Sequence, residues 1–269
     1  MRINYPALAF VFALHVLAFI GLWHATFIGI AIAIVMYALT GWLGICIGYH
    51  RLFAHSSFRT VTWVEIVLAV LGILALQGKI KDWTGMHRYH HKYADGPEDP
   101  TSPHRMENSF KGFLYSHVGW IMLRRDATRY ANFVPRVLQG RSYYRWLDRW
   151  YWPIQLAQAI AFYLLGGLPL FLWAFAIRVV FSWHCTFLVN SATHLWGDRP
   201  YPTRDRSGNL WWVSILTGGE GWHNNHHAHP RAPNMGNTSW SFDPAWWIIR
   251  LLGHLGLATD IRVRKFLNE

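Results

Sequence analysis

Nine of the chain's 16 histidines lie in four short motifs. His50 and His55 sit in G-Y-H-R-L-F-A-H, His87, His90 and His91 in M-H-R-Y-H-H-K, His194 in N-S-A-T-H, and His223, His226 and His227 in G-W-H-N-N-H-H. Imidazole is a borderline ligand suited to iron, zinc and copper, and one tetrahedral ion takes four ligands. Nine histidines at these spacings therefore imply a site for more than one transition-metal ion. A lone histidine is ordinarily a satisfied core or surface residue, but two H-x-x-H-H triplets in one chain are a far more specific signal.

Spacing says how these residues must be carried. Residues three and four apart share a helix face, so His87, His90 and His91 project to one side, and His223, His226 and His227 repeat the arrangement. His50 and His55 differ, because five steps of about 100° leave them well apart around an α-helix. The helix carrying His50 is therefore expected to end between them.

The elements that position these motifs belong to a membrane protein. Hydrophobic residues make up 52% and charged residues only 14% of the 269 residues, below the charge of ordinary soluble domains. Not one Asp, Glu, Lys or Arg occurs from Tyr5 to Tyr49, room for two spans joined by a turn at Trp23–Phe27. A second uncharged run, Trp152 to Ile177, resumes after Arg178 and is broken by Gly166-Gly167-Leu168-Pro169. The expected fold is all-α: four transmembrane helices in two hairpins, with a helical cap holding a histidine-rich dimetal site. The spans are residues 5–22, 28–49, 152–166 and 169–190, and the cap is 50–151 and 191–269 of a single domain. A cleaved signal peptide does not fit, since the first apolar run is too long and lacks a small-residue cleavage site.

All 25 Lys and Arg except Arg2 and Arg178 fall between His50 and Arg149 or after His194, none in the two external turns. By the positive-inside rule both termini and the histidines are cytoplasmic, where reductant is available. The net charge of +11 is explained by headgroup contact without nucleic acid. Cys46 and Cys185 lack metal-ligand or disulfide spacing and read as packing residues.

Between the spans, Val61–Leu76 is too short to cross a bilayer and reads as a surface or core helix. A third hairpin span there would put His87–His91 on the opposite side from His50. Lys92–Glu107 and Gly197–Asn209 read as loops, Arg124–Arg149 as an amphipathic interfacial helix that could also dock an acidic electron carrier, and Thr217–Gly221 as a tight turn beside the metals. In the tail, Trp246, Trp247, Ile248, Leu251, Leu252 and Leu255 recur at helical spacing and suggest a helix covering the core.

Taken together, H-R-L-F-A-H (50–55), H-R-Y-H-H-K (87–92), G-F-L-Y-S-H-V-G-W (112–120), N-S-A-T-H-L-W-G (190–197) and G-E-G-W-H-N-N-H-H (219–227) resemble the membrane fatty acyl desaturases of the stearoyl-CoA or delta-9 type. The resemblance implies two iron ions held by His50, His55, His87, His90, His91, His194, His223, His226 and His227, with Asn190 holding a metal-bound water. Asn190 read alone equally suits a cap at the end of helix four. The implied reaction is O2-dependent removal of two hydrogens from a saturated acyl chain, placing a cis double bond at delta-9. Electrons would come from a separate ferredoxin-, rubredoxin- or cytochrome b5-like protein.

By motif matching, Gln77, Trp83 and Thr186 fall where relatives shape the bend of the acyl tunnel. Trp42, about two turns before His50, is the expected tunnel floor. Two features depart from the animal acyl-CoA enzymes. Gly85-Met86 stands where those have Arg-Asp, which resembles bacterial and cyanobacterial relatives and puts CoA recognition in doubt; a bacterial plasma membrane is the expected location. His104 is separated from Asp99-Pro100 by Thr101-Ser102-Pro103, leaving its role open. Acyl-CoA is nevertheless favoured over acyl-lipid as the expected substrate. The enzymatic rival is a histidine-rich membrane hydroxylase. From another class, a metal transporter would place its ionisable ligands along a midplane pathway, whereas only His15, His184 and Arg178 lie inside predicted spans.

Overall fold

The computed structural model describes residues 2–124, 126 and 128–266; Arg125 and Ala127 of the basic segment and Leu267, Asn268 and Glu269 of the tail lie outside the described residues. The chain is mostly helical. Helix α1 (Tyr5–Gly21) ends in a 3-10 turn, Leu22–His24, and Thr26 caps α2 (Phe27–Tyr37) by accepting from the Gly29 N–H. Then α2 runs on as a π-helix, Ala38–Ala54. After a turn come α3 (Thr62–Leu74), α4 (Ile80–Tyr93), α5 (Ser109–His117), α6 (Thr128–Ala131), α7 (Arg136–Gly140) and α8 (Ser142–Arg149). Next are α9 (Tyr151–Leu170), a second π segment, Phe171–Ile177, and α10 (Arg178–Ser191). Last are α11 (Trp211–Thr217), α12 (His223–Ala228) and α13 (Pro244–His254). A two-stranded antiparallel ribbon pairs Arg59 with Thr259 and Thr60 with Ala258.

Three helical stretches, Tyr5–His24, Phe27–Ala54 and Tyr151–Ser191, are long and apolar enough to cross a membrane. The last is broken at Gly166 (φ −155°, ψ 22°) and Gly167 (φ 63°, ψ −160°), two residues before Pro169. Gly167 supplies a left-handed backbone that other residues adopt at a cost, and Pro169 removes an amide donor. Exposed apolar side chains cover these stretches, Phe12, Phe27, Leu164 and Leu165 among them.

Two expectations are refined here. The helix carrying His50 does end before His55, at Ala54, but it is a π-helix, which the spacing did not reveal. The π-helix runs through Ala54, and the His55 N–H donates to the His50 carbonyl at 3.1 Å. A π-turn closes on i→i+5, so the wider coil brings both rings to one side, 4.8 Å apart. The single amphipathic helix expected over Arg124–Arg149 is instead α6, α7 and α8, interrupted at Pro135 and Arg141.

Helix α3 packs along the π-helix as part of the core, burying Val64, Leu68, Ala69, Gly72 and Ile73. The approach is close: an added Cβ on Gly44 would lie 2.5 Å from the backbone of Leu71 and Gly72. In α13, Ala245, Trp246 and Ile249 are buried, whereas Trp247, Leu251 and Leu255 stay exposed, so the tail helix covers the core with a narrower face than its composition suggests.

Candidate metal centre

The π-helix ends at Ala54, next to His55, and α10 ends three residues before His194, so the two longest apolar stretches deliver histidines to one place. Helices α4 and α12 supply the rest. Nine imidazoles form two groups, His50, His55, His87, His91 and His226 in one and His90, His194, His223 and His227 in the other. Each triplet is divided. His87 and His91 of α4 join the first group and His90 the second; His223 and His227 of α12 join the second and His226 the first. The two helices thus exchange one histidine each, which ties the groups together, with the His91 and His227 rings stacked 4.4 Å apart.

Within the first group, Nε2 atoms approach at 3.0 Å for His50–His226, 2.7 Å for His55–His87, 3.0 Å for His87–His91 and 2.8 Å for His91–His226. In the second, His223 Nε2 lies 3.1 Å from His194 Nε2 and 3.1 Å from His227 Nε2. Nitrogens that share an ion at metal–nitrogen bonds of about 2.1 Å and right angles are about 3 Å apart.

Carboxylates hold the opposite ring nitrogens. Glu220 contacts His50 Nδ1, Asp99 lies 2.9 Å from His90 Nδ1, Asp95 2.9 Å from His194 Nδ1 and Asp205 2.9 Å from His227 Nδ1. The Nδ1–H groups of His90, His194 and His227 donate to their carboxylates, which leaves a bare lone pair on each Nε2 facing the group. His90 is the clearest case: its Nε2 is buried, has no hydrogen-bond partner among the described residues, and so offers its lone pair to an ion. The residues fit metal ions, one per group.

The electrostatics agree. Burial, reinforced by the neighbouring imidazoles, pushes His55, His87, His91, His223 and His226 well below the ordinary histidine value, so these rings are neutral donors near pH 7. Burial opposes ionisation of Asp99, yet His90 and the Thr101 N–H draw its carboxyl down to about 2. Arg51, fully buried, bridges Glu220 at 3.2 Å and Asp243 at 2.8 Å and so anchors the carboxylate behind His50.

Both groups border one apolar cavity of about 400 Å3. His50, His87, His90 and His223 line it, as do Gln77, Trp83, Thr186 and Asn190. Trp83 stacks on His87 at 5.1 Å. Gln77 Nε2 reaches across to donate to Thr186 Oγ1 at 2.9 Å and Ser182 Oγ at 3.2 Å. Asn190, near the end of α10, borders the same cavity. Trp42 is not in the wall. Its ring packs on Gly218 and on Phe242, at 6.3 Å, while Tyr37, Gly41, Ile45 and Cys46 line the cavity from the same strip of chain. In a π-helix the straight-helix count that pointed to Trp42 no longer gives the facing residue.

His104, left open by the sequence, approaches the four-histidine group from outside, its Nε2–H donating to the His194 carbonyl at 2.8 Å. The turn at Thr217–Gly221 is tight as expected, with Gly218 at φ 75° and Gly219 at φ 120°. The four carboxylates were not identified in advance. Their one local signal is acidity beside the histidine motifs: Glu220 three residues before His223, and Asp95 and Asp99 just after the α4 triplet.

The model of the fatty acid desaturase family matches residues 22–235. The chain is 41% identical over 252 residues to the sn-2 palmitoyl-lipid 9-desaturase of Nostoc sp. (strain 36), covering 92% of this chain and 86% of that protein. It is 38% identical over 264 residues to the sn-1 stearoyl-lipid 9-desaturase of Anabaena variabilis, covering 97% and 95%. It is 40% identical over 242 residues to the acyl-CoA C20 Delta5-desaturase of Anemone leveillei, covering 88% and 75%.

Proposed function

The chain belongs to the fatty acid desaturase family, and on that premise we propose that it inserts a cis double bond, at delta-9, into a saturated acyl chain esterified to a membrane glycerolipid. The observation that carries this reading is that both histidine groups open onto one apolar cavity crossed by the Gln77–Thr186 bridge. The choice of glycerolipid revises the acyl-CoA expectation. Two of the three relatives above are named for lipid-bound chains and one for acyl-CoA, and Gly85-Met86 replaces the Arg-Asp of the animal acyl-CoA enzymes.

The nine histidines would hold two iron ions, with Asn190 placed for a water on the four-histidine ion. Iron with O2 supplies the hydrogen abstraction that no side chain performs on an unactivated methylene. The chain's own residues do the remaining work. Glu220, Asp95, Asp99 and Asp205 fix the ring tautomers and orientations. Trp83, stacked on His87, and the Gln77–Thr186 bridge narrow the cavity beside both groups, so that one carbon pair is held there. The apolar wall keeps bulk water from the reacting carbons. Electrons reach the centre from a separate carrier protein, and the chain crosses the bacterial plasma membrane four times with both termini and the centre on the cytoplasmic side.

The test is mass spectrometry of lipid classes from cells expressing the chain, with and without iron and oxygen. A new cis-9 monounsaturated chain in glycerolipid, dependent on both, is expected. Hydroxylated chains, or a double bond that appears only in the acyl-CoA pool, would overturn it.

A further inference from the structure

Helix α3 ends inside the apolar part of the molecule, and the corner after it, Leu76-Gln77-Gly78-Lys79, forms one wall of the cavity. A helix end leaves carbonyls without intrahelical partners, and in an apolar setting each needs one. Side chains from three other elements meet that need. Gln155 of α9 donates to the Ile73 carbonyl at 2.7 Å, Arg178 Nη1 of α10 to the Leu74 carbonyl at 2.9 Å, and Trp183 Nε1 of α10 to the Leu76 carbonyl at 2.8 Å. Tyr151 accepts from the Gly78 N–H at 3.0 Å and Tyr49 donates to the Gly78 carbonyl at 3.4 Å.

Arg178 is the centre of this set. It is 1% exposed, and among the described residues no carboxylate pairs with it. Its other donors go to Gln158 Oε1 at 3.0 Å and the Ala174 carbonyl at 3.1 Å. A guanidinium inside an apolar region is costly without compensation, and here its fixed fork of donors meets the negative end of α3 and two further acceptors, Gln158 Oε1 and the Ala174 carbonyl. The corner it holds is itself strained: Leu76 has φ 57° and Gly78 φ 117°. Strained backbone persists only where its surroundings over-determine it. One residue on from Leu76, Gln77 spans the cavity to Ser182 and Thr186.

The geometry points to Arg178 as a positioning residue for regiochemistry: without touching the acyl chain, it fixes the α3–α4 corner and through Gln77 sets which carbon pair lies beside the histidines. This rests on the desaturase reading above. Releasing the corner lets the bend shift along the cavity. Misplacing reacting carbons by about 1 Å costs on the order of a hundredfold in rate, so a loosened corner redistributes product among neighbouring positions.

The experiment is to express the full chain as R178Q and R178K in membranes and locate the double bonds formed. Metal content and gel-filtration profile report whether the fold survives. Minor positional isomers should rise about tenfold or more in R178Q, with R178K intermediate because it keeps the charge and loses the fork. Metal-replete variants whose double bond stays at the wild-type position, with only the yield reduced, would overturn the inference by showing an anchoring role alone. Should R178Q not accumulate, Gln158→Glu keeps the side chain's size and its acceptor for Arg178 while losing the amide's weaker donation to the Leu74 carbonyl at 3.4 Å, and Gln158→Leu removes both; a product shift in Gln158→Leu but not in Gln158→Glu supports the inference, and constancy in both overturns it. Wild-type protein assayed alongside separates the two readings: no new double bond in the wild type refutes the desaturase reading, whereas a wild-type product with unshifted variants refutes this one.

Discussion

At the scale of single residues, the carboxylate behind an imidazole matters as much as the imidazole. Removing the charge behind a ligand typically lowers metal affinity 10- to 100-fold. Glu220→Gln and Asp99→Asn should each do so, read by competition with a chelator; Glu220→Gln should also lower the thermal midpoint, because it leaves the buried Arg51 paired with Asp243 alone. His226→Ala acts differently, because it takes one of five ligands from the first group and leaves the second intact. Metal analysis should then show a ratio falling from about two ions per chain to about one, with activity lost and the protein still in the membrane; two retained ions would remove His226 from the ligand set. The histidines were legible because a helix repeats their spacing locally. Their partners were not, since Asp95 meets His194 across 99 positions and no local pattern encodes that meeting. The division of each triplet between two groups was equally hidden, because a shared helix face does not say how many centres it serves.

At the scale of elements, the π-helix and α3 form the frame of the site. Gly44, Gly48 and Gly72 lie where these helices meet, and a Cβ on Gly72 would come 2.2 Å from the Tyr49 ring. Small residues of this kind let helix backbones approach in apolar surroundings. Gly44→Ala would press a methyl group into the α3 backbone, which cannot swing aside as a side chain does. Overpacking of this sort costs about 1–3 kcal/mol, so the variant should show a lower thermal midpoint in detergent and weaker retention of the ion held by His50 and His55. A midpoint equal to wild type would mean that the helices separate more easily than their contact suggests. The π-helical winding itself was invisible to a reading based on a 3.6-residue turn; the helix does end at Ala54, before His55 as expected, but that assumption set the two rings apart and pointed to Trp42 as the cavity floor. Val61–Leu76 was legible as a surface or core helix because length and the lone Glu65 argue against a span whatever the winding; the helix buries one face on the π-helix and leaves Trp63, Ile66 and Val67 exposed.

At the scale of the whole molecule, the decisive question is how the stretch Tyr151–Ser191 sits in the bilayer. As one straight helix its 41 residues would extend about 60 Å at 1.5 Å per residue, twice the roughly 30 Å of a hydrocarbon core. The break at Gly166–Gly167 divides it into a shorter piece, 151–165, and a longer one, 168–191, and the exposed Leu164 and Leu165 lie beside that break much as exposed Trp23 and Phe27 lie at the α1–α2 turn. The four crossings proposed above would put both turns on the outer face and every histidine of the two groups on the inner face, as the placement of nearly all Lys and Arg also argues. Single cysteines introduced at Ala25 and Leu165 should therefore react with a membrane-impermeant maleimide in intact cells. Cysteines at Asn108 and Trp240 should react only after the membrane is opened; the native Cys46 and Cys185, both buried, remain silent throughout. Labelling of Asn108→Cys from outside, or protection of Leu165→Cys, would mean an odd number of crossings and would place the histidines of α4 and α10 on opposite sides. The 2.9–3.1 Å contacts that His194 makes with Asp95 and His223 require one side, so the labelling pattern tests the metal centre and the topology together.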